Sequence, residues 1–292
     1  MCEQRFGVEK QRDQSPGQAR LTGAFLLKTR PYSRYFSVLL ILGGILDPLY
    51  GLVIKIVDLV WRPRLPRLSD TARRRQRGLT LILGGIEGPS LYNYQIVCGL
   101  LRSGYRGSVV RFDWNDGVPF WRSLVNLMSG KHHKHQALLV VDYILRYKHE
   151  HPDAPVCLIA QSGGCWITVR ALEALPPKTN VETAVLLAPA ISPAYDIKGA
   201  TAKCASGLIS VGSAGDFFFL GLGTLLLGTS DRHFTPSAGF VGWHYVTEGF
   251  VEARWHPRWI KHGYVGNHTS SSAIGFIASV IGPRLAARFP QS

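Results

Sequence analysis

From residue 78 onward the chain alternates between two textures. Six short stretches are rich in apolar residues, VCLIA (156–160) without exception: GLTLILGG (78–85), GSVVRFDW (107–114), VCLIA, VETAVLLAPA (181–190), SGLISVGS (206–213) and GFVEARW (249–255). These read as strands. Between and after them, residues 91–103, 136–149, 163–175 and 270–281 carry apolar side chains at helical spacing. Strands that alternate with helices predict an α/β fold, a mostly parallel central sheet with helices on both faces. A strand like VCLIA, with no polar position, fits a sheet covered on both sides.

Upstream the pattern breaks down. Residues 1–34 mix Gln, Arg, Pro and Gly without a period and read as a basic, flexible tail. Residues 35–61 are apolar but interrupted by Asp47-Pro48, Lys55 and Asp58. The run before Asp47 is too short to span a bilayer, and placing Asp47 at the centre of a span costs roughly 3 kcal/mol. Seven Lys/Arg precede the stretch and seven Arg follow it. Equal basic flanks suit a hairpin or a surface-lying helix against anionic lipid better than a single span. A helical hairpin packed on the main domain is the plainer alternative. No small-residue cleavage site follows, which argues against a cleaved signal. The expected organisation is a tail (1–34), an apolar helical segment with a basic linker (35–78) and a catalytic domain (79–292). The expected location is a membrane surface, at its cytoplasmic face, with the cytoplasm as second choice.

Charge supports that division. Residues 1–78 hold 15 Lys/Arg against 6 Asp/Glu, and the remaining 214 hold 18 against 13, so most of the +14 net charge lies upstream. Five cysteines without a CxxC pair argue against a disulfide framework. Cys157 and Cys165 fall on a strand and a helix and read as small core residues.

The strongest chemical signal is Ala160-Gln161-Ser162-Gly163-Gly164, between an apolar strand and a helix. A nucleophilic serine needs a sharp strand-to-helix turn that lifts its hydroxyl above the sheet, with small residues on either side. The helix behind it points its positive end at developing negative charge. Ala190-Ile191-Ser192-Pro193-Ala194 has similar spacing but no helix follows it. At the end of the first core strand, Gly84-Gly85-Ile86 lets the backbone curl toward the serine. The N–H of Ile86, with Gly85 close behind, joins that of Gly163 as a candidate oxyanion donor. Asp216 follows the strand SGLISVGS, with Asp231 and Asp196 as weaker candidates for the acid. His268, before the last helix, is the candidate base, with His262 behind it. Ser, Asp and His then follow one another in the order this architecture uses.

Taken together, LGGIEG, AQSGG, SAGD and GNH resemble the α/β-hydrolase superfamily over roughly residues 79–285. The resemblance implies a Ser162–His268–Asp216 triad, an acyl-enzyme, oxyanion donors at Ile86 and Gly163, and no metal or organic cofactor. Two positions depart from the pattern: Ala160 stands where the elbow usually has glycine, and Leu83 where a histidine usually precedes the oxyanion glycines.

Lys131-His132-His133-Lys134-His135 has histidines but no acidic or thiol partner at ligand spacing, and reads as a basic loop before a helix. Arg73-Arg74-Arg75-Gln76-Arg77 has no aromatic platform beside it, which argues against nucleic acid. Residues 217–228 (FFFLGLGTLLLG) form an apolar run beside Asp216. They read as a core helix, or else as the wall of an acyl pocket or a surface facing lipid. With residues 35–61 they favour an apolar ester or thioester substrate. Competing readings are an acyltransferase on the same triad and a non-catalytic membrane-binding module.

Overall fold

The computed structural model describes residues 69–88, 90–115 and 129–287. The tail, the apolar segment and residues 62–68 of the basic linker lie outside these residues. The sheet has six strands, all parallel: β1 (Leu79–Leu83), β2 (Ser108–Phe112), β3 (Val156–Gln161), β4 (Thr183–Leu187), β5 (Leu208–Gly212) and β6 (Phe250–Arg254). Their order across the sheet is β2-β1-β3-β4-β5-β6. The direction of winding reverses at β1, so the crevice at the carboxyl ends of β1 and β3 is the topological switch point, where sheets of this kind place their ligands.

Three long helices carry most of the packing: α1 (Leu91–Arg102), α2 (Gly130–Glu150) and α3 (Gly164–Ala174). Leu79, Leu81 and Leu83 of β1 join Val140, Ile144, Ile167 and Leu172 in one buried cluster. Alternation sends Thr80 and Ile82 to the opposite face, where Thr80 Oγ1 donates to Tyr105 Oη at 2.7 Å. On that side α1 packs so tightly that a Cβ on Gly99 would lie 2.5 Å from the side chain of Ile277. β1, β3, β4 and β5 are buried at every position, as the uniformly apolar runs predict. Cys157 and Cys165 are fully buried, in keeping with a packing role.

The end of the basic linker belongs to the body. Arg75 pairs with Asp70 at 2.7 Å, Ser108 Oγ donates to Asp70 at 2.6 Å, and Arg74 donates to the carbonyls of Tyr105 and Gly107. Two arginines of that cluster are therefore structural. The histidine tract is not a loop. It forms the first turns of α2, where Ser129 Oγ caps the N–H of His132. His132 Nε2 donates to the Trp114 carbonyl at 2.8 Å and His133 is buried edge-on to Trp114. The apolar periodicity begins only at Gln136, yet the polar turns before it are helical, with His132 and His133 both against Trp114. Among the described residues, no three metal-binding side chains cluster and no helix is long and apolar enough to cross a membrane.

Candidate active site

Each candidate residue leaves the carboxyl edge of a strand. β3 ends at Gln161, and Ser162 turns the chain sharply into α3. Ser162 has φ 53°, a left-handed conformation that costs a residue with a Cβ on the order of 1–3 kcal/mol. Its N–H donates to Leu187 at 2.9 Å and its carbonyl accepts from Cys165 at 3.1 Å, so β4 and α3 hold the strained turn from both sides. Close approach explains the small neighbour: a Cβ on Gly164 would lie 2.3 Å from the Gly84 carbonyl oxygen. The elbow therefore rests directly on the glycine turn after β1.

That turn is braced from behind. Trp114 Nε1 donates to the Gly84 carbonyl at 2.8 Å, and Asn115 Nδ2 to the Gly85 carbonyl at 3.2 Å. Neither brace is visible in the sequence pattern; the only hint is that both residues sit just past the end of β2, beside the switch point. The Gly85 N–H donates to Glu87 Oε1 at 3.1 Å, and Ser90 Oγ donates to the same oxygen at 3.3 Å. Glu87 thus ties the turn together rather than standing free in solvent. Its bond occupies Gly85, so Gly85 supports the turn rather than donating to a reacting group in this conformation. The N–H groups of Ile86 and Gly163 enter no hydrogen bond among the described residues, which leaves both available.

Asp216 directly follows the turn after β5 and is buried. It opens a π-helix, Phe217–Gly223, and one carboxylate oxygen accepts from the Leu220 N–H at 3.3 Å. The other meets His268 Nδ1 at 2.5 Å. A carboxylate only accepts, so the proton is assigned to Nδ1 and Nε2 is left as the basic nitrogen. Phe219, on the same π-helix, packs its ring 4.9 Å from the imidazole at 37°. The Asp216 carboxylate and a ring packed on the His268 imidazole thus arrive at the start of one short element.

The loop bearing His268 is tied to the elbow. Gln161, the residue before Ser162, donates from Nε2 to Ser271 Oγ at 3.3 Å. Ser271 Oγ in turn donates to the His268 carbonyl at 2.8 Å. Ser272 Oγ reaches Gln95 on α1 at 3.1 Å. The serines of TSSS therefore close the loop that the sequence assigns to the start of the last helix. They form a 3₁₀ turn (Thr269–Ser272), and π-helical and α-helical segments follow it to Ala286.

The competing residues have other work. The Asp231 carboxylate accepts from the N–H and Oγ of Ser192 at 2.8 and 2.6 Å; the second serine motif and the second acid form one structural clamp. Asp196 accepts from the Lys198 N–H at the start of a short helical turn. His262 ends a 3₁₀ turn, Pro257–His262, with no site acid beside it in this structure.

Two solved structures are similar to the chain. One is a protein of the alpha/beta hydrolase superfamily from Xanthomonas campestris pv. campestris, 15% identical, covering 68% of this chain and 96% of its own, with a TM-score of 0.39. The other is Trichoderma reesei cutinase in complex with a phosphonate inhibitor, 10% identical, covering 93% and 98%, with a TM-score of 0.38. No family model and no curated protein matches the chain.

Proposed function

On the premise of the α/β-hydrolase fold that this chain adopts, we propose that it is a serine hydrolase acting on an ester or thioester with an apolar acyl group. Ser162 is the nucleophile, His268 the general base, Asp216 its positioning acid, and the N–H groups of Ile86 and Gly163 the oxyanion hole. The observation that carries this reading is the strained elbow at Ser162, joined through Gln161 and Ser271 to the loop of a histidine whose Nδ1 is held by a buried carboxylate.

The chemistry follows from the protons. His268 Nε2 takes the proton of Ser162 Oγ as the oxygen attacks the carbonyl carbon. Asp216 accepts from Nδ1–H and stabilises the imidazolium that forms. The carbonyl oxygen becomes an oxyanion facing Ile86 and Gly163, where each donor contributes about 3 kcal/mol. As the tetrahedral centre collapses, Nε2 returns the proton to the leaving alcohol or thiol. Water then repeats the sequence on the acyl-enzyme and frees the acid.

The test is hydrolysis of soluble p-nitrophenyl esters of increasing acyl length by the full chain and by Ser162→Ala. Turnover that rises with chain length and disappears in the variant supports the proposal. Turnover unchanged in Ser162→Ala refutes it.

A further inference from the structure

The apolar run after Asp216 is neither core nor pocket wall along most of its length. It continues from the π-helix into an α-helical turn, Thr224–Leu227, and ends at Gly228, whose φ of 85° stops the helix. Leu220, Gly221 and Thr224 face inward. Phe217, Phe218, Leu222, Leu225, Leu226 and Leu227 face outward, from 37% exposed at Phe217 and Leu222 to 64% at Leu226. Positions 218, 222, 225 and 226 form one stripe along the outer surface. Phe234, also 64% exposed, returns to the helix end, where a Cβ on Gly228 would lie 3.7 Å from its ring. At about 200 Å² for a fully exposed residue of this size, the six outward residues and Phe234 together expose roughly 700 Å². That exceeds the ~300–600 Å² typical of the largest patch on a monomer, and such patches mark interaction surfaces.

The chemistry of the stripe selects its partner. Residues 217–230 contain no ionisable side chain. The outward positions offer only Phe and Leu, with no side-chain donor or acceptor. A protein partner uses about one hydrogen bond per 100–200 Å² of interface; a lipid interior uses none. The first ionisable residues after the stripe are Asp231, Arg232 and His233. Asp231 is turned inward on Ser192 with His233 Nε2 3.8 Å from it, while Arg232, held at φ 72°, is exposed. The acidic charge is withdrawn and the Arg232 guanidinium is presented at the edge of the apolar surface, which complements anionic headgroups.

We propose that the outward face of residues 217–227, with Phe234 and Arg232, docks onto an anionic lipid surface, the leucines entering the acyl region. The face begins at Asp216 and its Phe219 touches His268, so docking sets the catalytic groups at the lipid boundary. This deepens the function proposed above and rests on it for one consequence, that an apolar ester reaches Ser162 from the lipid side.

The test reads insertion without using catalysis. In the full chain with Cys2 and Cys98 replaced by serine, Leu226→Cys carries an environment-sensitive fluorophore, and Lys178→Cys, on an exposed turn far along the chain, carries it as control. Phosphatidylglycerol vesicles are expected to shift emission at 226 to the blue and raise it severalfold, with no change at 178 and a weaker response to phosphatidylcholine. No change at 226 overturns the inference even if the chain sediments with vesicles through other residues. A concentration-dependent shift at 226 without lipid overturns it in favour of a second copy. A protein that inserts at 226 but shows no reactive Ser162 would sink the hydrolase reading and leave the docking face standing.

Discussion

Gly164→Ala places a methyl group where the elbow meets the turn after β1. Its Cβ would lie 2.3 Å from the Gly84 carbonyl oxygen and 2.6 Å from that of Leu83, both backbone atoms that no rotamer change can move. Ordinary contact begins near 3.4 Å, so α3 and the glycine turn must part by about 1 Å. The turn cannot simply yield, because Trp114 Nε1 holds the Gly84 carbonyl at 2.8 Å. Overpacking of this kind costs about 1–3 kcal/mol, a Tm lower by roughly 3–10 °C for a domain of this size. Catalysis should suffer more than stability. The same displacement separates Ser162 from the Ile86 N–H, and a shift of about 1 Å at reacting groups costs on the order of 100-fold in rate. The measurement is kcat/KM on p-nitrophenyl butyrate beside a thermal melt. Gly130→Ala, where an added Cβ meets nothing within 4 Å, is the control and should match wild type in both. Wild-type activity in folded Gly164→Ala would refute the contact between elbow and glycine turn as the basis of the site.

Three further outcomes follow from the same geometry. Asp216→Asn is expected to keep the fold but lose about 10³–10⁴-fold in kcat, because an amide at that position no longer fixes the proton on His268 Nδ1; a loss under tenfold on p-nitrophenyl butyrate would contradict this. Ser192→Ala removes one of two hydrogen bonds to the buried Asp231 carboxylate and should lower stability by about 1.5–3 kcal/mol in urea unfolding, with turnover near wild type. Burial raises the Glu252 carboxyl above its ordinary value, with Arg254 and the Trp243 N–H only partly opposing. Its protonated form is therefore favoured in the fold, and its contribution is present below the unfolded value near 4.3 and is lost as pH rises through the folded one. Glu252→Gln should accordingly melt above wild type at pH 7 and converge with it near pH 4; a variant that melts lower at pH 7 would reverse the sign.

The sheet was legible because its strands are buried on both faces. Val156–Ala160 carries no polar residue, and the strand runs one position beyond that apolar run, to Gln161. The elbow was legible because the conformation at Ser162 demands small neighbours in sequence, within two residues. Asp216 drew notice as an acid shortly after a strand and His268 as a histidine before the last helix, and the structure brings the two together. What escaped was whatever is held by residues far apart in the chain. Trp114 and Asn115 brace the glycine turn across 30 positions, and Gln161 reaches Ser271 across 110. The clamp between Ser192 and Asp231 spans 39 positions and turned a second serine motif into a strut. The histidine tract misled because a polar sequence begins the helix, with His132 bonded to the Trp114 carbonyl and His133 packed on its ring. For residues 217–228 apolar composition left burial and an exposed surface both open, and only the packed neighbours show which face turns outward.

The central claim is that Ser162 is activated by His268 and Asp216. Labelling the full chain with a fluorophosphonate probe and locating the adduct by peptide mass spectrometry tests it most directly. One adduct on Ser162, absent in Ser162→Ala and strongly slowed in His268→Ala, is the predicted result. A folded protein that takes no label, or takes it on another residue such as Ser192, would contradict the account.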